Sequence, residues 1–113
     1  MSETKNIRAA SRIKELAANF LERTSNHLSL ITVTDIDLSP DGKTADIMIS
    51  VLPDTKAKAA VDFANRNRDD FKNYLKDRVR LRVIPRVRFL IDMGELNRQR
   101  IEELSAEEKR RVK

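Results

Sequence analysis

The segment LITVTDIDLSPDGKTADIMISVL, residues 30–52, decides the fold of the chain. It contains two runs rich in β-branched residues, 30–38 and 44–52, and both have the composition of β-strands. Between them lies SPDGK, where Pro40 favours a turn and Gly42 accepts the positive φ that such turns often need. The segment therefore predicts a β-hairpin.

The inward face of this hairpin is easier to identify on one strand than on the other. In the second run every alternate residue from Ala45 to Val51 is apolar, so these four side chains share one face of the sheet. The first run shows a mixed phase. A β-bulge would explain that mixture, because one extra residue moves the following side chains to the opposite face.

Upstream of the hairpin, the apolar residues of NIRAASRIKELAANFLE recur at spacings of three and four. This pattern is typical of an amphipathic helix, which we place from about Thr4 to Arg23. The arginines Arg8 and Arg12 lie off the apolar stripe. The stripe consists of Ile7, Ala10, Ile13, Leu16, Ala17, Phe20 and Leu21.

Downstream of the hairpin, Pro53 and Asp54 provide a start and a cap for a second helical region, KAKAAVDFANRNRDDFKNYLKD. Apolar residues keep a helical phase at Ala57, Ala60, Val61, Ala64, Phe71 and Leu75. One turn of the stripe is missing, and Asn67, Arg68 and Asp69 stand in its place. The region is therefore either one long helix with a polar notch or two helices that meet at a kink.

The segment RVRLRVIPRVRFLID, residues 78–92, interleaves arginines with apolar residues. After Pro85 the apolar side chains of Val87, Phe89 and Ile91 alternate, which predicts a third strand with these residues in the core. The arginines would then lie on the opposite face of the strand or flank it.

A weakly patterned last helix, GELNRQRIEEL, follows the third strand and leads into a charged end. The length of 113 residues fits one domain. We place this domain at residues 1–105 and a charged C-terminal tail at residues 106–113.

The positive charge of the chain is concentrated in one stretch. Residues 66–88 carry nine lysines and arginines against three aspartates, whereas residues 1–65 carry eight basic against nine acidic residues and residues 89–113 carry six against six. The formal net charge of +5 therefore comes from a local patch. Such a patch favours a polyanionic partner, and a solvated charged face is the alternative.

Arginine suits phosphate because its planar guanidinium donates two hydrogen bonds at once. On the second helical region, Lys72 and Lys76 are one turn apart, and their mutual repulsion would be relieved by a bound anion. The residues that we predict to bind RNA are Arg66, Arg68, Lys72, Lys76, Arg78, Arg80, Arg82, Arg86 and Arg88.

The sequence offers little for catalysis. It contains no cysteine, which excludes disulfides, thiolate metal sites and cysteine nucleophiles, and His27 has no second histidine with which to build a metal site. Asp35, Asp37 and Asp46 come together near the hairpin, but alternation sends the first two to a face that solvent explains as well. We predict no catalysis, no metal and no cofactor.

No apolar run approaches the ~20 residues of a membrane span, and the beginning MSETKNIRAA lacks the apolar core of a signal peptide. We therefore expect a cytoplasmic protein without membrane contact that is a monomer when free. The aromatic residues Phe20, Phe71 and Phe89 fall in apolar phase and are expected in the core. Without a stacking platform, recognition would rest on RNA shape and phosphate and would depend on salt.

The order helix, strand, strand, helix, interrupted helix, strand resembles the type II KH arrangement, and the residues resemble the bacterial ribosome-binding factor A family. The hairpin ITVTDIDLSPDGKTADIMISVL is similar to that family's first signature. The stretch FKNYLKDRVRLRVIPRVRFLID resembles its second signature, which contains an Arg-Leu-Arg, a proline and a strand ending in aspartate. With RIKEL in the first helix and RIEEL near the end, the resemblance spans most of the chain.

This resemblance implies an α+β fold in which a three-stranded sheet carries its helices on one face. It also implies an RNA-binding assembly factor that engages 16S ribosomal RNA during late maturation of the small ribosomal subunit. From the residues alone, a protein-binding adaptor that presents the arginine-rich face to an acidic protein is the alternative.

The chain departs from the family at the missing turn. The family has an Ala-X-Gly kink there, whereas this sequence has Asn67, Arg68 and Asp69, and its only glycines are Gly42 and Gly94. Asn and Asp tolerate left-handed backbone, so a bend could persist in that form. Because glycine is absent, we expect a stiffer and more continuous helix.

Overall fold

The computed structural model describes residues 2–25, 29–98 and 101. In chain order its elements are α1 (Ser2–Thr24), β1 (Leu30–Leu38), β2 (Thr44–Leu52), a 3₁₀ turn (Asp54–Lys56), α2 (Ala57–Arg66), α3 (Arg68–Arg78) and β3 (Arg86–Ile91). Residues 93–98 are also helical. This order confirms the predicted sequence of elements, and the predicted tail at 106–113 lies outside the described residues.

The three strands form one sheet in the order β1-β2-β3. β1 and β2 are antiparallel, as the predicted hairpin requires, with Leu38 opposite Ala45. β3 runs parallel to β2, with Val87 opposite Ala45, because α2 and α3 return the chain to the end of the sheet where β2 begins. β2 is therefore the central strand, and β3 is an edge strand.

The turn of the hairpin depends on the glycine that the sequence indicated. Gly42 has a φ of 73°, in the left-handed region, and its N–H donates to the carbonyl oxygen of Ser39 at 2.9 Å. The Asp41 side chain accepts hydrogen bonds from the Ser39 hydroxyl at 2.6 Å and the Lys43 N–H at 3.0 Å. These contacts fix the turn and hold the Asp41 carboxylate at its tip.

A β-bulge in β1 explains the mixed phase of that strand. The register with β2 shifts between Val33 and Asp35, which leaves Thr34 as the extra residue. Apolar side chains before the shift fall at odd positions and those after it at even positions, yet all pack against the core. These side chains are Ile31, Val33, Ile36 and Leu38. The predicted bulge is thereby confirmed.

All three long helices pack on one face of the sheet. The alternate residues of β2 from Ala45 to Val51 are buried, as predicted, and so are Val87 and Phe89 of β3. The aromatic residues also lie as predicted: the rings of Phe71 and Phe89 are 5.8 Å apart between centroids, and Phe20 and Phe71 are 5.2 Å apart. The α+β fold with helices on one face is confirmed.

The turn of α1 around Ile7 does not join this core. Ile7, which belongs to the predicted apolar stripe, is 67% exposed, and among residues 7–24 the first buried one is Ile13. A periodic stripe shows which side of a helix can be buried, but it does not show where the packing partner ends. The stripe was therefore predicted one to two turns too long.

Asp92 links the end of β3 to the bulge. Its carboxylate accepts a hydrogen bond from the Thr34 hydroxyl at 2.6 Å and another from the Glu95 N–H at 3.0 Å. The Thr34 bond, followed by the Glu95 bond, lowers the pKa of Asp92 from its usual value. The bond to Glu95 caps the helical segment 93–98, so one side chain fixes two parts of the fold.

Replacing Asp92 by Asn should lower the free energy of unfolding by about 1 kcal/mol at pH 7, because a neutral amide oxygen accepts the Thr34 hydroxyl bond more weakly than the carboxylate does, whereas Asn still caps the helical segment. A lowered pKa in the folded state stabilises the protein above the unfolded value near 3.9, and this stabilisation is lost as the pH falls through the folded pKa. Urea titrations from pH 7 to pH 2 should therefore show the gap to wild type closing below about pH 4. A gap that stays constant would contradict this role of the carboxylate.

Candidate nucleic-acid interface

The chain bends between α2 and α3, so the predicted helical region consists of two helices. Asn67 lies between them with φ −99° and ψ 15°, which is outside the helical region and also outside the left-handed region. The expectation of a stiffer, continuous helix is therefore wrong. The bend persists, but it does not use the left-handed backbone that Asn or Asp would tolerate.

Hydrogen bonds to the end of α2 explain how a bend forms without glycine. The Asn67 side-chain amide donates to the carbonyl of Phe63 at 2.8 Å, and its backbone N–H donates to the carbonyl of Ala64 at 3.1 Å. The Arg68 Nε donates to the carbonyl of Asn65 at 3.0 Å. These donors satisfy carbonyls that a continuing helix would otherwise satisfy, so the helix can end at this point.

Asn65 fixes the bend to the free edge of the sheet. Its side-chain amide donates to the carbonyl of Phe89 at 3.0 Å, and its side-chain oxygen accepts from the Phe89 N–H at 2.9 Å. Both backbone groups of an edge residue are thus paired as another strand would pair them. The Asn65 side chain covers the middle of β3 and holds the end of α2 against it.

Replacing Asn65 by Ala should lower the free energy of unfolding by about 1–3 kcal/mol, because it leaves both backbone groups of Phe89 without their partner. Urea unfolding followed by circular dichroism measures this loss. Asn73→Ala is the matched control, since Asn73 lies exposed on α3, and it should change the stability by less than about 0.5 kcal/mol. Equal losses would mean that the Asn65 bonds do not stabilise the edge.

Arg66 and Arg68 lie at the bend and share it with acidic residues. They line an open hollow of about 610 Å³ together with Asn65, Asp62 and Asp69. Two arginines and two aspartates give this hollow no net charge, and Arg68 also contacts a backbone carbonyl. The bend is therefore a weaker anion site than its two arginines alone would indicate.

Lys72 and Lys76 lie exposed on α3, one turn apart as predicted. Arg78, at the end of the same helix, places its guanidinium 3.7 Å from the ring centroid of Tyr74. This cation–π contact fixes its position while leaving the residue exposed. The solvent side of α3 therefore presents three of the predicted cations.

Arg80 and Arg82 lie in the segment between α3 and β3, where they meet Arg8 and Arg12 of α1. The four arginines surround a cleft of about 610 Å³ between α1, the hairpin turn and residues 79–85. Its acidic lining residue is Asp41, and the hydrogen bond from Ser39 lowers the pKa of that carboxyl. The cleft therefore carries a positive excess, although Arg12 also pairs with a glutamate of α1 at 3.3 Å.

Sequence reasoning did not include Arg8 and Arg12 in the predicted patch. Both belong to the first 65 residues, where acidic and basic residues almost balance, so a sum of charges along the sequence conceals them. The available signal was their spacing of four residues on the polar side of α1. This is the spacing that brought Lys72 and Lys76 into the prediction.

Arg86 and Arg88 lie on the sheet face opposite the helices, as the alternation of β3 predicts. The Arg88 guanidinium forms two hydrogen bonds to the Asp46 carboxylate, at 3.2 and 3.0 Å, and this pairing raises the pKa of Arg88. Arg86 and Arg88 therefore lie on the sheet face opposite the one that the helices cover. The nine predicted residues lie on more than one surface of the domain, and their contact with RNA stays a prediction.

The part of the chain that the structure describes holds no group of three or more histidine, cysteine, aspartate or glutamate residues arranged to bind a metal. Asp46 pairs with Arg88, and Asp35 accepts a hydrogen bond from the neighbouring N–H of Ile36 at 2.8 Å. The lone histidine, His27, lies outside the described residues. Among residues 2–25, 29–98 and 101, no helix has the length and apolar character needed to cross a membrane.

The chain forms a small type II KH-like α+β domain. This class is defined here by a three-stranded mixed sheet with α1, α2 and α3 on one face and by the bend between α2 and α3. Basic side chains lie exposed on several of its surfaces. The sequence profile of the ribosome-binding factor A family matches residues 5–105. The chain belongs to the ribosome-binding factor A family. This family consists of non-enzymatic ribosome assembly factors, which confirms the prediction that the chain is not an enzyme.

Individual relatives agree with this assignment. The ribosome-binding factor A of Fervidobacterium nodosum is 34% identical over 67 residues, which cover 58% of this chain and 54% of that protein. The crystal structure of the ribosome-binding factor A of Thermus thermophilus superimposes with a TM-score of 0.69 at 23% identity and covers 75% of this chain and 92% of that one.

A homology model of the Thermus thermophilus factor, fitted into a cryo-electron-microscopy map of its complex with the 30S subunit, gives a TM-score of 0.62. Its identity is 24%, and the match covers 73% of this chain and 89% of that one. At these identities the two structures establish the shared fold.

Proposed function

We propose that this protein is an RNA-binding assembly factor that acts in late maturation of the small ribosomal subunit by contacting 16S ribosomal RNA. The observation that carries the proposal is membership of the ribosome-binding factor A family over residues 5–105, combined with a fold that leaves basic side chains exposed. The Thermus thermophilus relative has been fitted into a map of a 30S complex, which supports the same partner for this chain.

The distribution of charge supports contact with phosphate. Within the described residues, the predicted cations Lys72, Lys76, Arg80 and Arg82 lie exposed on α3 and the segment that follows it. Exposed cations that are not already paired can neutralise phosphates and release the counterions condensed on RNA. Binding by this mechanism weakens as salt is added. The protein would act as a monomer in the cytoplasm.

Gradient fractionation of a cell lysate tests this function. The full-length protein, followed with an antibody, should sediment with small-subunit precursors at low salt and should move to the top of the gradient as salt is raised. Treatment with ribonuclease before centrifugation should release it as well. A protein that stays in a fast-sedimenting complex after ribonuclease treatment would instead be an adaptor for a protein partner.

A further inference from the structure

We infer that the cleft between α1, the hairpin turn and residues 79–85 binds a segment of single-stranded RNA. In this arrangement the phosphates contact the arginines and a base covers the apolar floor. The inference rests on the proposed function and adds to it a specific site and a specific form of RNA. It also assigns a role to Arg8 of α1, which lies outside the basic stretch of the sequence.

The charge of the cleft complements a polyanion. Arg8 and Arg12 line one side of the cleft and Arg80 and Arg82 line another, whereas Asp41 is the acidic lining residue. No hydrogen bond or ion pair engages Arg8, Arg80 or Arg82 within the described part of the chain, so their guanidinium groups are available to an anion. Each of them can donate two parallel hydrogen bonds to a phosphate.

The floor of the cleft is apolar. Between the arginines the cleft is lined by Leu38, Val79, Leu81, Val83 and Pro85. Val83 is 47% exposed and adjoins the partly buried side chains of Leu81 and Val79, so the cleft offers an apolar surface next to its arginines. A nucleotide presents a phosphate and a flat base side by side, so it matches both kinds of lining residue.

The size and the position of the cleft also suit an unpaired nucleotide. A volume of about 610 Å³ lies within the roughly 300–1,000 Å³ range of small-molecule pockets, so the cleft admits an unpaired nucleotide. A double helix keeps its bases stacked inside and would offer only its phosphates at the mouth. The cleft also lies at the far end of α3 from the bend, about 16 Å away for an 11-residue helix.

Titrations monitored by amide ¹⁵N–¹H spectra of the full chain test the inference. Three probes are compared at the same salt concentration: the oligonucleotide hexauridylate, a 12-base-pair RNA duplex and an acidic peptide of alternating aspartate and leucine. Hexauridylate should shift the amide signals of cleft residues, such as Ala9, Gly42 and Val83, and neither other probe should shift them as strongly. Shifts confined to Asn65 and Arg68 at the bend would overturn the assignment, and so would stronger shifts of the cleft signals by the peptide or the duplex.

Two double variants with equal loss of charge sharpen the test. Arg8→Ala combined with Arg80→Ala removes one arginine from each side of the cleft and should weaken hexauridylate binding about tenfold or more. Lys56→Ala combined with Lys58→Ala removes two exposed charges at the start of the second helical region, outside the cleft, and should change hexauridylate binding by less than about twofold. Equal effects would overturn the inference, because they would reflect only the total charge.

The outcome separates the two proposals. Wild-type protein that sediments with small-subunit precursors but does not bind hexauridylate would overturn the cleft while leaving the proposed function intact. Protein that binds hexauridylate in the cleft but never sediments with these particles would support the site and refute the proposed function.

Discussion

Replacing Phe89 by Ala is expected to lower the free energy of unfolding by about 3–5 kcal/mol. The side chain of Phe89 is 0% exposed, and its ring lies 5.8 Å from that of Phe71 between centroids. Truncation loses the burial of the ring and leaves a cavity between β3 and α3 that surrounding residues fill only partly. Since small domains are usually stable by about 5–15 kcal/mol, the variant should unfold at a much lower urea concentration.

Arg88→Ala is the matched control, one residue earlier on the same strand. The Arg88 side chain is 60% exposed, and its pair with Asp46 lies on the solvent face of the sheet, where water and salt screen the attraction. We expect its urea midpoint to stay close to that of wild type. Similar losses for Phe89→Ala and Arg88→Ala would show that the two faces of β3 are assigned incorrectly.

The parts of the fold that sequence predicts well are those where one physical rule acts alone. Alternation from Ala45 to Val51 identifies the core face of β2 because a strand places every second residue on the same side. The glycine of the turn is equally clear, since few residues accept the φ of 73° that Gly42 adopts. Thr34 shows that even an irregularity is readable, because a shift of phase in a strand has few other causes.

Predictions failed where one local rule was outweighed by other local bonds, and they were not possible where the contact joins distant residues. The absence of glycine at 67–69 suggested a stiffer and more continuous helix, but donors from Asn67 and Arg68 satisfy the end of α2 and let it stop. The bond pair between Asn65 and Phe89 joins residues that are 24 positions apart. No sequence pattern predicts such a contact, because the contact depends on how α2 lies across the edge strand β3.

In the candidate site, too, local patterns predicted some features, whereas others depend on the tertiary fold. Local charge density correctly indicated exposed cations on α3, but it could not tell that Arg88 would be paired with Asp46, 42 residues away. It also could not bring Arg8 and Arg12 beside Arg80 and Arg82, since that proximity is a product of the tertiary fold. Charge along the sequence locates a basic stretch, whereas the fold decides which side chains face the same ligand.

Replacing Lys72, Arg80 and Arg82 together by Ala is expected to weaken binding to a 16S ribosomal RNA transcript roughly 100-fold at about 0.1 M salt. Each cation that neutralises a phosphate contributes about 0.7–0.9 to the slope of log affinity against log salt, so three contacts add up to about two decades at this concentration. All three side chains are exposed, so the fold should be unaffected. Filter binding over a series of salt concentrations measures both the affinity and the slope.

A second triple variant distinguishes the loss of direct phosphate contacts from the loss of total positive charge. Lys43, Lys56 and Lys58 are also exposed, and replacing them by Ala removes the same three charges from the hairpin turn and the beginning of α2. Both variants have the same net charge, so a long-range attraction to RNA would fall equally in the two. Only the loss of direct phosphate contacts lowers the salt slope by about one per residue, and only the first variant should show that decrease. Equal slopes in the two variants would contradict direct contact at Lys72, Arg80 and Arg82, because a contact that is never made cannot release counterions.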